Sequence, residues 1–331
     1  MVELSVLELG RVRQGSDRRA ALDEARALGQ HAERWGYKRI WVAEHHNMPT
    51  VTTAATSLVI AHIAAGTKTI RVGAGGIMLP NHAPYVIAEQ FGTLETLFPG
   101  RIDLGLGRAP GTDQMTLRAL RRDPANAENF PQDVLALQAF LAPVRLGQRI
   151  EAVPGSGTQV PLWILGSSLF GAQLAAELGL PYGFASHFAP QMLDAALKIY
   201  RERFKPSEQL ARPYFLAGIN VIAAESDDEA RILATSQQMS FVDIFRGARS
   251  LTQPPIEDIE AYWTPQEKAQ VAQMLGGAVI GGPDTVRAGM EAFVGRTQAD
   301  ELMIVSDVFD PAKRLRSFEI IAEMAAIGAR G

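Results

Sequence analysis

The segment Trp41-Val42-Ala43-Glu44-His45-His46-Asn47 puts a carboxylate and two histidines in consecutive positions of a chain that has only six histidines. Near neutral pH a histidine can act as a base, a hydrogen-bond donor or a metal ligand. The competing explanation is a buried histidine kept for its hydrogen bonds alone. On a strand, alternation sends Trp41, Ala43 and His45 to one face and Val42, Glu44 and His46 to the other, so the two histidines need not act together. Adjacent histidines diverge, and His62, His82 and His187 add no ligand spacing, so no metal is expected.

Three other segments could hold a ligand. Gly73-Ala74-Gly75-Gly76-Ile77-Met78-Leu79-Pro80 ends a strand pattern in glycine, which suits either close approach of a planar ligand or a bulge. Gly105-Leu106-Gly107-Arg108-Ala109-Pro110-Gly111 has the outline of a dinucleotide fingerprint. Its last glycine comes one position late, and Pro110 interrupts the place where a helix should begin, so that reading is rejected. Arg108 on this glycine-framed turn can grip a phosphate through a forked pair of hydrogen bonds, or it can form a structural salt bridge. Gly166-Ser167-Ser168 precedes a helical pattern over 169–178. There free N–H groups and the helix dipole favour an anion, although a plain serine N-cap would look the same. Arg108 and the serine pair together favour a phosphate-bearing ligand.

The elements that position these residues alternate along the chain. Apolar strand patterns fall at 4–9, 39–42, 70–77, 102–107, 162–165, 182–185, 216–223 and 302–305. Most are rich in Val, Ile and Leu, as parallel strands buried on both faces require. Helical patterns separate them, with Ser16 as the expected cap of a helix over 17–35. Ser226 and Glu229 form an expected capping box ahead of 227–247. The count favours an α/β fold of the closed (β/α)8 type, a TIM barrel, over an open sheet, and places the four motifs at the C-terminal ends of strands. Insertions at 109–131, after strand four, and 248–277, after the helix that follows strand seven, interrupt the alternation. Thr264-Pro265-Gln266-Glu267 predicts a helix over 265–275 in the second, which is either a lid or a surface or dimer element. No compositional break divides the chain, so residues 1–331 read as one domain.

Composition narrows the function classes. Hydrophobic residues are 47% and charged residues 21%, enough for a large core. A net charge of −4 and the lack of a Lys/Arg block give no reason to expect nucleic acid. Cysteine is absent, which removes thiolate catalysis, disulfides and iron–sulfur clusters. No signal peptide and no apolar run of about 18 residues is seen, so a soluble cytoplasmic protein without a membrane span is expected.

In order, WVAEHH, VGAGGIMLPNHAPYVIAEQFGTLE and GRIDLGLGRAPG, with the segment from Trp163 to His187, resemble the bacterial luciferase-like family of flavin-dependent oxidoreductases. The similarity is greatest to its small members of unassigned substrate. The resemblance implies FMN at the C-terminal mouth of the barrel. It makes His45 the histidine beside the flavin ring, with Glu44 and His46 in support, and Gly75–Gly76 a cis peptide against the ring. Arg108, Ser167 and Ser168 would hold the flavin phosphate beside Gly166, and His187 would follow strand six near the pocket. Gly107 stands where the luciferase catalytic subunit has a reactive cysteine. The implied reaction has reduced FMN (FMNH2, the co-substrate) combine with O2 to a C4a-(hydro)peroxyflavin that oxygenates a small organic substrate. In the absence of an NAD(P) fingerprint, a separate flavin reductase would supply FMNH2. A homodimer would form through the Ala- and Leu-rich helices at 52–65 and 83–97. The alternatives are an F420-dependent hydride-transfer enzyme on the same barrel, a flavin-binding protein without turnover, and a metal-dependent hydrolase barrel.

Overall fold

The computed structural model describes residues 2–109 and 113–327. In chain order the strands are β1 (Glu3–Glu8), β2 (Arg39–Val42), β3 (Arg71–Met78), β4 (Ile102–Gly107), β5 (Leu162–Gly166), β6 (Tyr182–Phe184), β7 (Phe215–Ala223), β8 (Val279–Gly281) and β9 (Glu301–Val305). Every pairing between them is parallel. β1 to β6 run side by side, β9 and β7 continue from β1, and a β6–β7 pairing closes the ring. The expected eight-stranded barrel is what forms. The unexpected element is β8, which lies outside the ring and, among the described residues, pairs with Val221–Ala223 of β7 alone. With three residues it is too short to display a strand period.

Helices α1 (Arg18–Arg34), α2 (Thr56–Gly66), α3 (Pro84–Leu97), α4 (Gln114–Ala119), α5 (Phe130–Leu141), α6 (Leu169–Leu178), α7 (Leu193–Arg203), α8 (Asp227–Phe245), α9 (Pro265–Met274), α10 (Pro283–Thr297) and α11 (Pro311–Ile327) surround the strands. Asp17, not Ser16, caps α1, its carboxylate accepting the Ala20 N–H at 2.8 Å. Ser226 caps α8, but Glu229 accepts the Glu225 N–H instead of closing a reciprocal box. The box at Thr264 and Glu267 is complete and starts α9 inside the second insertion. α2 begins four residues later than its composition suggests, because Thr52 and Thr53 donate to the Gly10 and Ala43 carbonyls. Pro110 and Gly111 of the first insertion lie outside the described residues.

Alternation sorts the barrel interior into levels. Along β2 and its extension the inward series is Arg39, Trp41, Ala43 and His45; along β9 it is Glu301, Met303, Val305 and Asp307. At the N-terminal floor Arg39 pairs with Asp103 at 2.7 Å and Glu301 at 2.8 Å, and Arg71 reaches Asp103 at 2.6 Å. Trp41 Nε1 donates to Asp103, and Ser5 and Tyr214 donate to Glu301. Above this floor Leu7, Trp41, Trp163, Leu216 and Met303 form an apolar plug. In it Trp41 and Trp163 meet edge to face with ring centroids 5.0 Å apart. The outward residues Val6, Ile40, Val42, Val72 and Leu104 join the larger core shared with the helices. The barrel is therefore packed from its floor to mid-height and opens only at the C-terminal end, where the side chains of interest begin.

Candidate active site

A cavity of about 330 Å³ occupies the C-terminal mouth. This is within the size range of small-ligand sites, roughly 300–1,000 Å³. His45, at the end of the β2 inward series, lines it together with Gly75 and Gly76. Burial, assisted by the positive charge of Arg11 and opposed by Glu44, lowers the His45 pKa to about 4. At neutral pH the ring is therefore uncharged, and its Nδ1 has no hydrogen-bond partner among the described residues. An uncharged imidazole can accept a proton at one nitrogen while donating from the other.

Glu44 and His46 do not join it. As alternation predicts, they turn to the opposite face. There the fully buried Glu44 Oε1 accepts from His46 Nε2 at 2.7 Å and His82 Nε2 at 2.9 Å, while its Oε2 accepts the Met78 N–H at 3.1 Å. Burial pushes the Glu44 pKa up, but these hydrogen bonds outweigh it and hold the carboxyl below its usual value. The cluster brings in His82, which its spacing in the sequence had set aside. The three groups offer one ligand atom each within 4.8 Å of one another. The turn Leu79–Asn81 carries His82 back to Glu44, and that return has no signature in residue spacing.

Gly75 and Gly76 are joined by a cis peptide bond, as the resemblance implied. The β3–β4 register shifts between Ala74 and Ile77, so the glycines mark an irregularity as well as a cavity wall. A side chain on Gly76 would run into the Gly105 carbonyl, so only glycine lets β3 and β4 approach this closely.

Arg108 lies just past β4 and is exposed, its guanidinium carbon 4.1 Å from the centre of the Phe170 ring. No carboxylate pairs with it among the described residues, which disposes of the structural salt bridge. Phe170 belongs to the first turn of α6, so this stacking places the cation against the start of that helix, which Ser167 and Ser168 precede. Ser168 occupies the N-cap position, yet its hydroxyl caps none of the first-turn N–H groups. Ser167 and Gly166 line the cavity. A guanidinium stacked on the first turn of α6 and the two serines that precede that helix thus belong to one helix start, a donor set suited to a phosphate.

The opposite wall was not anticipated apart from His187. That residue follows β6, and burial lowers its pKa to about 4 against the pull of Asp307. Its ring lies over Gly218 of β7, where any side chain would collide with Nδ1. Arg11 and Asp307, paired at 2.9 Å, line the same wall with Asn220 and Gln237. Burial opposes ionisation of Asp307, but Arg11 and Arg314 prevail and hold its pKa down. Arg11 and Asp307 were legible in principle, since extending the inward series Leu7, Leu9 and Met303, Val305 by one step lands on them.

A family model described as "Luciferase-like monooxygenase" matches residues 2–300. The chain belongs to the luciferase-like monooxygenase family. It is 52% identical to the uncharacterized protein YvbT of Bacillus subtilis (strain 168), with 97% of this chain and 96% of that one covered. It is 48% identical to the luciferase-like monooxygenase of Escherichia coli (strain K12), covering 98% and 97%. Among solved structures, apo-MsnO8 superposes with a TM-score of 0.90 at 33% identity, over 98% of this chain and 99% of that one. The same barrel recurs at 17% identity in the FMN complex of a 3,6-diketocamphane monooxygenase component (TM-score 0.71). At 13% identity it recurs in an F420-dependent secondary alcohol dehydrogenase (TM-score 0.70). At such identities the likeness is one of fold. Membership makes the chain a flavin-dependent oxidoreductase.

Proposed function

We propose that the protein is an FMN-dependent monooxygenase that uses O2 on a small organic substrate and receives FMNH2 from a separate reductase. The observation carrying this reading is Arg108 stacked on the first turn of α6, the helix that Ser167 and Ser168 precede, with Gly166 and Ser167 at the edge of a largely apolar cavity. That edge suits a terminal phosphate monoester, and the cavity suits a planar ring.

When bound, reduced flavin supplies the electrons for O2 activation, one oxygen atom entering the substrate and the other leaving as water. Arg108, Ser167 and Ser168 would hold the phosphate, and Gly75 and Gly76 would leave the ring room to approach. His45, uncharged at neutral pH, would take up or return the proton that the reaction moves, using the nitrogen its tautomer leaves free. Glu44 and His46 act indirectly in this scheme, fixing the strand end and the Met78 turn from behind. Segment 248–277 supplies the cover. Thr252 exchanges backbone hydrogen bonds with Val12 and Gln14, Arg249 donates to the Asn47 carbonyl at 3.0 Å, and Met274 lines the cavity. Such a cover excludes water from reactive oxygen species.

The test supplies FMNH2 and ¹⁸O2 to the protein with a library of small organic compounds and reads products by mass. Incorporation of a single labelled oxygen atom is expected. Oxidation that runs anaerobically with F420 in place of FMN overturns the reading. We further propose a homodimer through α2 and α3, which leave Leu58 and Leu97 exposed by 71% and 63%. Sedimentation equilibrium should return twice the chain mass.

A further inference from the structure

Two amide side chains in the cavity wall have their orientations fixed by a backbone carbonyl. The His187 carbonyl can only accept, so Asn220 must turn its Nδ2 toward it, as it does. That leaves Asn220 Oδ1 as an acceptor, and Gln237 Nε2 donates to it at 3.0 Å. Rotating either amide would oppose two acceptors or two donors. Gln237 therefore keeps its carbonyl oxygen free, and Oε1 has no partner among the described residues although the side chain is only 2% exposed. A buried acceptor without a donor is unfavourable and needs a reason.

The surroundings supply one. Gln237, Phe241 and Ile244 are spaced i, i+4, i+7 on α8, and all three line the cavity. On that face an apolar residue is the default, yet the innermost position holds an amide. Asp307 repeats the pattern. Its Oδ2 accepts from Arg11 at 2.9 Å, while its Oδ1 is buried and unpartnered among the described residues. Two acceptors of fixed sense, Gln237 Oε1 and Asp307 Oδ1, are thus buried and unmet among the residues of this wall. A hydrocarbon, ether, ketone or thioether would leave both unmet.

We propose that Gln237 Oε1 is the substrate-recognising acceptor, and that the substrate is an apolar molecule carrying an O–H or N–H donor, in the class of phenols, indoles and alcohols. This rests on the flavin reading above, in which the cofactor occupies the side of the cavity bounded by β3 to β5. Asn220 is a positioning residue that sets which way the Gln237 amide faces.

The experiment uses FMN-loaded protein and two probes of one skeleton, 4-propylphenol and 4-propylanisole, which differ by O–H against O–CH3. Binding is read from the absorbance change of the bound flavin. The phenol is expected to bind roughly tenfold tighter, since a site built to accept a hydrogen bond rejects the analogue that lacks the donor. Gln237→Met keeps the length and removes the carbonyl; it should bring the ratio close to one and leave FMN affinity within about twofold. Equal binding of the two probes by the FMN-loaded wild type, or binding of neither, overturns this proposal alone. So does a variant that loses FMN affinity but keeps the phenol preference, because the acceptor then serves the cofactor. Absence of saturable FMN binding to the wild type overturns the flavin reading and this proposal with it. The wild-type ratio needs no variant, so a Gln237→Met protein that fails to fold still leaves a deciding measurement.

Discussion

The two ends of the barrel treat polar groups in opposite ways. At the floor, Arg39 is 4% exposed and lies between Asp103 and Glu301, each of which also accepts from neutral donors. At the mouth, the buried atoms His45 Nδ1, His187 Nδ1, Gln237 Oε1 and Asp307 Oδ1 have no hydrogen-bond partner among the described residues, and the exposed Arg108 stacks on Phe170 with no carboxylate beside it. A buried charge flanked by two opposite charges holds strands together, and removing one partner is severe. A set of unmet donors and acceptors around a cavity is arranged for something other than protein. The first pattern predicts sensitivity in stability, the second sensitivity in binding.

The largest effect should come from the floor. Glu301→Gln removes one of the two charges facing Arg39 and should destabilise by about 3–5 kcal/mol in urea unfolding, while the folded fraction binds FMN normally. Wild-type stability with impaired FMN binding would invert the comparison. The histidines at the mouth come next. His45 and His187 have folded pKa values of about 4 against a reference of 6.5. Between these values the unfolded chain binds protons that the folded chain refuses, so stability falls as pH drops from about 6.5 to about 4 and levels off below. Each histidine contributes at most about 3 kcal/mol to that slope. In flavin-free protein, His187→Asn should flatten the dependence of Tm on pH over that window, and an unchanged slope would contradict the burial of this ring. The smallest effect, and the most selective, is Arg108→Ala. Stability should change by less than about 0.5 kcal/mol, FMN affinity should fall on the order of thirtyfold, and riboflavin affinity should hold. Equal losses for FMN and riboflavin would remove Arg108 from the phosphate.

Much of this was legible because a period-two pattern fixes direction. Alternation alone separated His45 from His46 and predicted that the cluster would divide, and the strand-end glycines and Arg108 were visible as departures from ordinary strand chemistry. What escaped depends on return paths. His82 meets Glu44 only because the Leu79–Asn81 turn doubles back. Asn220 and Gln237 meet because β7 and α8 pack side by side, and nothing in the spacing of 17 residues announces that. β8 escaped for want of length, and α2 began late because threonines that read as helix were committed to loop carbonyls.

Two stretches of the chain supply different parts of the cavity wall, beside residues in or just past β1, β2, β6, β7 and β9. Gly75, Gly76, Gly107, Gly166 and Ser167 come from the stretch between β3 and α6, whereas Gln237, Phe241, Ile244 and Met274 come from α8 and α9. α8 and α9 are tied to each other by the Arg246–Glu267 ion pair at 2.6 Å and by the hydrogen bond from Arg246 to the Tyr262 carbonyl. One contiguous stretch, from Gln237 to Met274, therefore carries the amide acceptor together with the apolar side chains Phe241, Ile244 and Met274 of the wall. Recombination that exchanged this stretch between relatives would hand on a new substrate preference as a unit, while the proposed flavin seat was inherited unchanged.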